Sequence, residues 1–225
     1  MRKRSVLGGM LAFAALSLFG NSAPFAATAS SSNSDQINLL NRATTTAQHM
    51  KADPAFGQAR NMIANAKGVL IVPSLVKGGF IFGAEGGSGV LLAKNGSNWS
   101  APAFYTLTSG SFGLQIGLEQ AEVVMILMTD RAIDQVKNGD FKVGAGGAIT
   151  VVTLSSGAQA ATGDVVLWQS GTGAYGGVTL NGSVVKPRDE WNTAFYGRPT
   201  PVGDILANKV SNPQSNQLQQ QLAGL

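Results

Sequence analysis

Between residues 35 and 50 apolar side chains recur at near-helical spacing, as Ile37, Leu39, Leu40, Ala43, Ala47 and Met50. The pattern predicts an amphipathic helix capped by Ser34 or Asp35. Asp53-Pro54 interrupts it, and Pro54 suits the first turn of a second helix carrying Phe56, Ala59, Met62, Ile63 and Ala66. From Gly68 the period shortens to the alternation of strands. Val69-Leu70-Ile71-Val72 predicts a strand that ends at Pro73.

Four later segments alternate bulky residues with glycine: residues 80–84, 111–118, 142–149 and 174–180. In the second, Phe112, Leu114, Ile116 and Leu118 share one face, while Ser111, Gly113, Gln115 and Gly117 form the other. Glycine in a strand loses backbone entropy and buries no side chain, so its recurrence on one face needs a cause. Either the sheet bends tightly there, or a helix or extended ligand approaches the backbone. Residues 89–93, 122–128 and 165–168 are apolar enough for strands buried on both faces. Residues 94–97 form a turn. Thr129 is placed to cap a short helix over 130–137 that ends at Asn138-Gly139. Further short helices are expected near 190–196 and after Thr200-Pro201. The Gln/Asn/Ser-rich stretch 211–221 suggests a frayed end.

The fold class that follows is α+β. A strongly curved, mainly antiparallel glycine-rich sheet, or partly closed barrel, is packed by N-terminal amphipathic helices and short C-terminal helices. Residues 1–29 add an address label rather than fold. Arg2, Lys3 and Arg4 precede an apolar run over residues 6–19, too short to span a bilayer comfortably, and Ala27-Thr28-Ala29 fits cleavage after Ala29, with Ala23 and Ala26 as alternatives. The expected organisation is a signal peptide at 1–29, a linker at 30–34, one domain at 35–210 and a polar, flexible tail at 211–225.

Charge changes this picture modestly. The chain has 16 basic and 12 acidic side chains, but without Arg2, Lys3 and Arg4 only 13 bases face 12 acids. Nucleic acid therefore has little electrostatic support as a partner. The remaining charge is uneven. Arg42, Lys51, Arg60, Lys67, Lys77 and Lys94 face only Asp35, Asp53 and Glu85 in the first third of the mature chain. Such a surface suits anionic lipid headgroups, at about 1 kcal/mol per nearby cation.

Candidate chemistry is sparse. Cysteine is absent, which excludes disulfides, thiolate metal sites, thiol nucleophiles and a lipid-modified N-terminal cysteine. Gly171, Gly173 and Gly176 match a dinucleotide-binding spacing, but a strand follows where a helix N-terminus is needed. A serine triad would need His49, the single histidine, which sits on the first helix as a surface or interface residue. Glu119 and Glu122 flank a strand start, where solvation accounts for them better than paired acid–base work. No zinc or calcium ligand pattern occurs. The expectation is a non-enzyme without metal or cofactor.

Several motifs resemble the SYLF-domain family, also called the Ysc84-type domain. They are Lys67-Gly68-Val69-Leu70-Ile71-Val72-Pro73-Ser74, then Lys77-Gly78-Gly79-Phe80 with Gly83-Ala84-Glu85-Gly86. The most specific are Trp99-Ser100-Ala101-Pro102-Ala103-Phe104-Tyr105 and Gly110-Ser111-Phe112-Gly113-Leu114-Gln115-Ile116-Gly117. Met128-Thr129-Asp130 with Ala132, Gly176-Gly177-Val178, and Asn192 through Tyr196-Gly197 follow in order. The resemblance spans residues 36–206. It implies a compact lipid- or phosphoinositide-binding domain, typically exported in bacteria, with actin binding confined to eukaryotic members and no catalytic set to carry over. Ser88 stands where many members have an acid, and the missing cysteine separates this chain from lipoprotein relatives.

The expected activity is non-catalytic binding of anionic membrane lipids or acyl chains, in the periplasm, soluble or peripherally bound. Lys51, Arg60, Lys67 and Lys77 are the candidate headgroup contacts. Phe80, Phe82, Trp99, Phe104 and Phe112 are the candidate acyl contacts, although aromatics more often fill cores. The expected partner is a phospholipid or fatty acid. The alternative is an envelope assembly protein with a protein partner.

Overall fold

The computed structural model describes residues 33–57, 60–79, 82–112, 119–139, 141–142, 149–154, 163–172 and 182–225. The expected leader, Phe80, the core of the segment at 142–149 and all of the segment at 174–180 lie outside them.

Helix α1 (Ser34–Ala52) buries the expected stripe, Leu39, Leu40, Ala43, Ala47 and Met50. Its N-cap is Asn33, one or two residues before the predicted cap, and the Asn33 side chain makes no capping hydrogen bond. Asp53 then ends one helix and starts the next. Its carboxylate accepts the Ala55 backbone N–H at 2.8 Å and the Trp168 indole N–H at 2.9 Å. Helices α2 (Pro54–Gly57) and α3 (Arg60–Asn65) follow, burying Phe56 and Ile63.

Strands β1 (Gly68–Gly79), β2 (Phe82–Asn95), β3 (Asn98–Trp99), β4 (Ala103–Phe112) and β5 (Glu119–Leu127) come next, followed by helix α4 (Asp130–Lys137). Then come β6 (Phe141–Lys142), β7 (Val151–Thr153), β8 (Val165–Thr172) and β9 (Val184–Pro187). Helices α5 (Asp189–Tyr196), α6 (Val202–Leu206) and α7 (Asn216–Ala223) complete the described chain. The strands form one strongly curled half-barrel in the order β6-β9-β4-β2-β1-β5-β8-β7, with β3 paired to β2. All pairs are antiparallel except β7 with β8.

Pro73 does not end β1, contrary to the sequence expectation. The register against β5 shifts between Val72 and Leu75, and that against β2 between Ile71 and Val76. A bulge leaves residues unpaired, so a proline without an N–H fits there at no cost to the ladder. The bulge brings β1 close to β2. A Cβ on Gly87 would lie 2.5 Å from the Ser74 carbonyl oxygen, and one on Gly89 would lie 2.8 Å from the Ile71 carbonyl oxygen. At these two positions the backbone of the adjacent strand and the Val72 side chain leave no room for a side chain.

Each sheet face is covered, as the apolar strand segments predict. Leu70, Leu91, Met125 and Leu167 pack against Ile133 and Val136 of α4 and Ile205 and Leu206 of α6. Alternate residues Val69, Ile71, Val90, Ile126 and Trp168 pack against α1, Phe195 of α5, and Leu218 and Leu222 of α7. Each such buried aliphatic side chain contributes about 1.5–3 kcal/mol. Thr129 caps α4 as expected, accepting the Ala132 N–H at 3.2 Å.

The C-terminal stretch departs from expectation. Residues 213–215 form a 3₁₀ turn, and α7 follows it with Leu218 and Leu222 buried one turn apart. The polar residues that suggested fraying hold it in place. Gln219 donates to the carbonyls of Trp99 and Ser100 at 3.1 and 3.0 Å, and Asn212 donates to that of Phe195 at 2.9 Å.

Asp164 joins three elements. It accepts the Thr150 N–H at 2.9 Å and hydroxyl at 3.1 Å, and the Thr129 hydroxyl at 2.8 Å. The Thr150 backbone bond above all, with the Thr129 hydroxyl, holds its carboxyl below the usual carboxylate range.

Two outcomes follow. Gly87→Ala is expected to cost about 1–3 kcal/mol by forcing β1 and β2 apart, whereas Gly86→Ala, with nothing within 4 Å of the added atom, leaves the melting temperature nearly unchanged. Equal melting temperatures would contradict the bulge account. The Asp164 carboxylate stabilises the fold above the unfolded carboxylate pKa, and that gain disappears as pH falls through the lowered folded value. Thermal melts of Asp164→Asn should therefore fall below wild type near neutrality and converge with it in acid.

Candidate functional site

The Gly68 end of β1 and the Asn95 end of β2 gather basic residues from separate elements. Lys94, near the end of β2, donates through Nζ to the carbonyls of Ile63 and Ala64, both at 2.9 Å, so it satisfies the C-terminal turn of α3. The same ammonium lies 5.4 Å from the centre of the Trp99 ring, within cation–π range. These bonds seat α3 against the hairpin of β2 and β3.

A cleft of about 300 Å³ opens beside it. Arg60, Lys94, Trp99, Ile63, Leu222 and Leu225 contribute to its walls, and no aspartate or glutamate side chain lines it. Lys51 reaches the carbonyl of Gly224 at 2.8 Å, next to Ala223 and Leu225 on the cleft wall. Two cations from the positive third of the sequence, Arg60 and Lys94, thus line a cleft of mixed polar and apolar character bearing one indole, and Lys51 is bonded beside it.

Lys94 also borders a second cleft, of about 310 Å³, with Lys67 and Lys137. There the charges are met. Lys67 pairs with Asp130 at 3.2 Å and Lys137 with Asp134 at 3.3 Å. The third cleft, about 510 Å³ and the largest of these three, lies beside the Pro73 bulge in the middle of β1, under α1. His49 and Glu122 meet there, with Nδ1 to Oε2 at 2.9 Å, and the Thr46 hydroxyl donates to Glu122 Oε1 at 2.7 Å. Glu122 is thus tied to α1, where the sequence suggested simple solvation at a strand end.

The structure brings together only some of the residues chosen from sequence. Arg60 and Trp99 line the 300 Å³ cleft, with Trp99 itself mostly buried, while Lys51 does not line it and bonds the Gly224 carbonyl next to its wall. Lys67 belongs to the neighbouring, charge-paired cleft. Phe104 is fully buried, edge-on to Phe195 at 5.1 Å and to Trp191 at 6.0 Å. Lys77 pairs by backbone register with Glu85 of β2 and Glu119 of β5. The side chains of Lys77, Phe82 and Phe112, and all of Phe80, lie outside the described residues. Lys94 was missed because it falls in a predicted turn; its position five residues before Trp99 was the available signal.

The sequence pattern of the family described as "Ysc84: Las17-binding protein actin regulator" matches residues 108–225. The chain is also 32% identical over 160 residues to the SH3 domain-containing YSC84-like protein 1 of Rattus norvegicus, covering 68% of this chain and 47% of that protein. The chain belongs to the SYLF (Ysc84) family. The human protein of the same name is 33% identical over 163 residues, covering 68% of this chain and 46% of its own length. The LAS seventeen-binding protein 3 of Saccharomyces cerevisiae is 28% identical over 180 residues, covering 74% and 39% respectively. This SYLF chain spans about half the length, or less, of these curated relatives. No solved structure matches it. The family description concerns binding and regulation, so the site is best analysed as a recognition surface.

Lys94 is the residue on which the cleft's shape depends. Lys94→Met is expected to lower stability by about 1–3 kcal/mol, because two carbonyls lose a charged donor. Lys51→Met removes one exposed bond and should change little; the reverse order of melting temperatures would contradict this assignment.

Proposed function

We propose that this SYLF domain is a non-catalytic lipid-binding protein that meets anionic membrane lipids at the cleft of Arg60, Lys94 and Trp99. The observation that carries the proposal is the composition of that cleft: the cations Arg60 and Lys94, the apolar side chains of Ile63, Leu222 and Leu225, one indole, and no acidic side chain among its lining residues. Arg60 supplies exposed charge in the lining and Lys51 lies beside it on the Gly224 carbonyl, while Lys94 is committed to the fold. Trp and Lys side chains together suit the interface between headgroups and hydrocarbon. No helix among the described residues is long and apolar enough to cross a membrane, and the proposed contact is peripheral. The leader-like residues 1–29 support export, and a periplasmic location is part of the proposal. A phospholipid, or a fatty acid held by its acyl chain, is the proposed partner.

Binding of a protein partner is the second reading, favoured by the name of the yeast relative. The two separate in one experiment. Co-sedimentation with phosphatidylglycerol vesicles should fall with added salt, and fall roughly tenfold or more in Lys51→Glu plus Arg60→Glu, since each cation contributes about 1 kcal/mol at an anionic surface. Binding that resists both salt and the double reversal would overturn the lipid assignment at this cleft.

A further inference from the structure

The 510 Å³ cleft is not used by this proposal, and its chemistry differs. Arg42, Thr45 and His49 of α1 follow one another at helical spacing and face β5 and the end of β8. Glu122 and Ser170, which both line the cleft, are directly paired across those strands. Gln120, two residues from Glu122, is held by its amide N–H to the Ser74 hydroxyl at 2.6 Å. Pro73 and Gly171 supply apolar surface. The volume, about 510 Å³, is that of a small-ligand site.

The two opposite charges here are in different situations. Glu122 has its oxygens taken by His49 and Thr46. Arg42 is exposed and makes no hydrogen bond or ion pair with the described residues. Its guanidinium is a planar donor fork suited to bidentate contact with a carboxylate or phosphate. The ligand-binding capacity that remains after internal pairing is therefore that of a cation beside a short apolar wall.

We infer that the cleft between α1, β5 and β8 is a separate site for a small amphiphilic anion, its carboxylate or phosphate held by Arg42 and its hydrocarbon lying along Pro73 and Gly171. His49 and Thr46 act as positioning residues, restraining Glu122 so that its charge opposes the anion less. This site is independent of the membrane-facing cleft.

The test is calorimetric titration of the full chain with hexanoate, hexyl phosphate and inorganic phosphate. Hexanoate or hexyl phosphate should bind. Arg42→Ala should weaken that binding about tenfold or more, in line with loss of charge-assisted hydrogen bonds. Arg42→Lys should keep part of it, and Glu122→Gln should tighten it by removing the opposing charge. Lys51→Glu plus Arg60→Glu should leave it unchanged, whatever the vesicle result. No binding of the three probes, unchanged affinity in Arg42→Ala, or weaker affinity in Glu122→Gln would overturn the site. Inorganic phosphate binding as tightly as hexyl phosphate would overturn the hydrocarbon half of the assignment.

Discussion

The close approach of β1 to β2 at the Pro73–Ser74 bulge governs the rest of the structure. Ser74 and Ile71 place their carbonyls where side chains at Gly87 and Gly89 would otherwise stand. Strands that approach this closely bend together, and the register shift on both sides of β1 concentrates that bend in the middle of the sheet. The curl lets one face receive α4 and α6 while the other receives α1, α5 and α7, so a single sheet supports two apolar cores.

One candidate site lies at a strand end and the other beside the bulge, where core packing gives way to polar groups. At the Gly68 end, Lys94 satisfies the last carbonyls of α3 and faces Trp99. Beside the Pro73 bulge, Glu122 joins α1 to β5. In both places a charged group serves the fold while an exposed cation nearby, Arg60 or Arg42, makes no ion pair among the described residues.

Much of the architecture was legible from local chemistry. The α1 stripe, the Thr129 cap and the doubly buried strands depend on periodicity and short-range hydrogen bonds, and they lie where the sequence placed them. Pro73 was misread because a proline inside a strand is acceptable only at a bulge, and a bulge is created by the neighbouring strand. The C-terminal helix was misread because its stability is tertiary: Leu218 and Leu222 need the sheet, and Gln219 needs the carbonyls of Trp99 and Ser100. Lys51, Arg60 and Trp99 were accessible as charge and aromatic signals. The His49–Glu122 pair was not, since its partners are 73 residues apart and meet only when α1 crosses β5.

The central claim is that lipid contact is localised at the Arg60–Lys94–Trp99 cleft. Hydrogen exchange of the full chain, with and without phosphatidylglycerol vesicles, tests it most directly. Slowed exchange confined to α3, the β2–β3 turn and the end of α7 is the expected result, absent with phosphatidylcholine. Protection elsewhere on the domain, or none with either lipid, would contradict it.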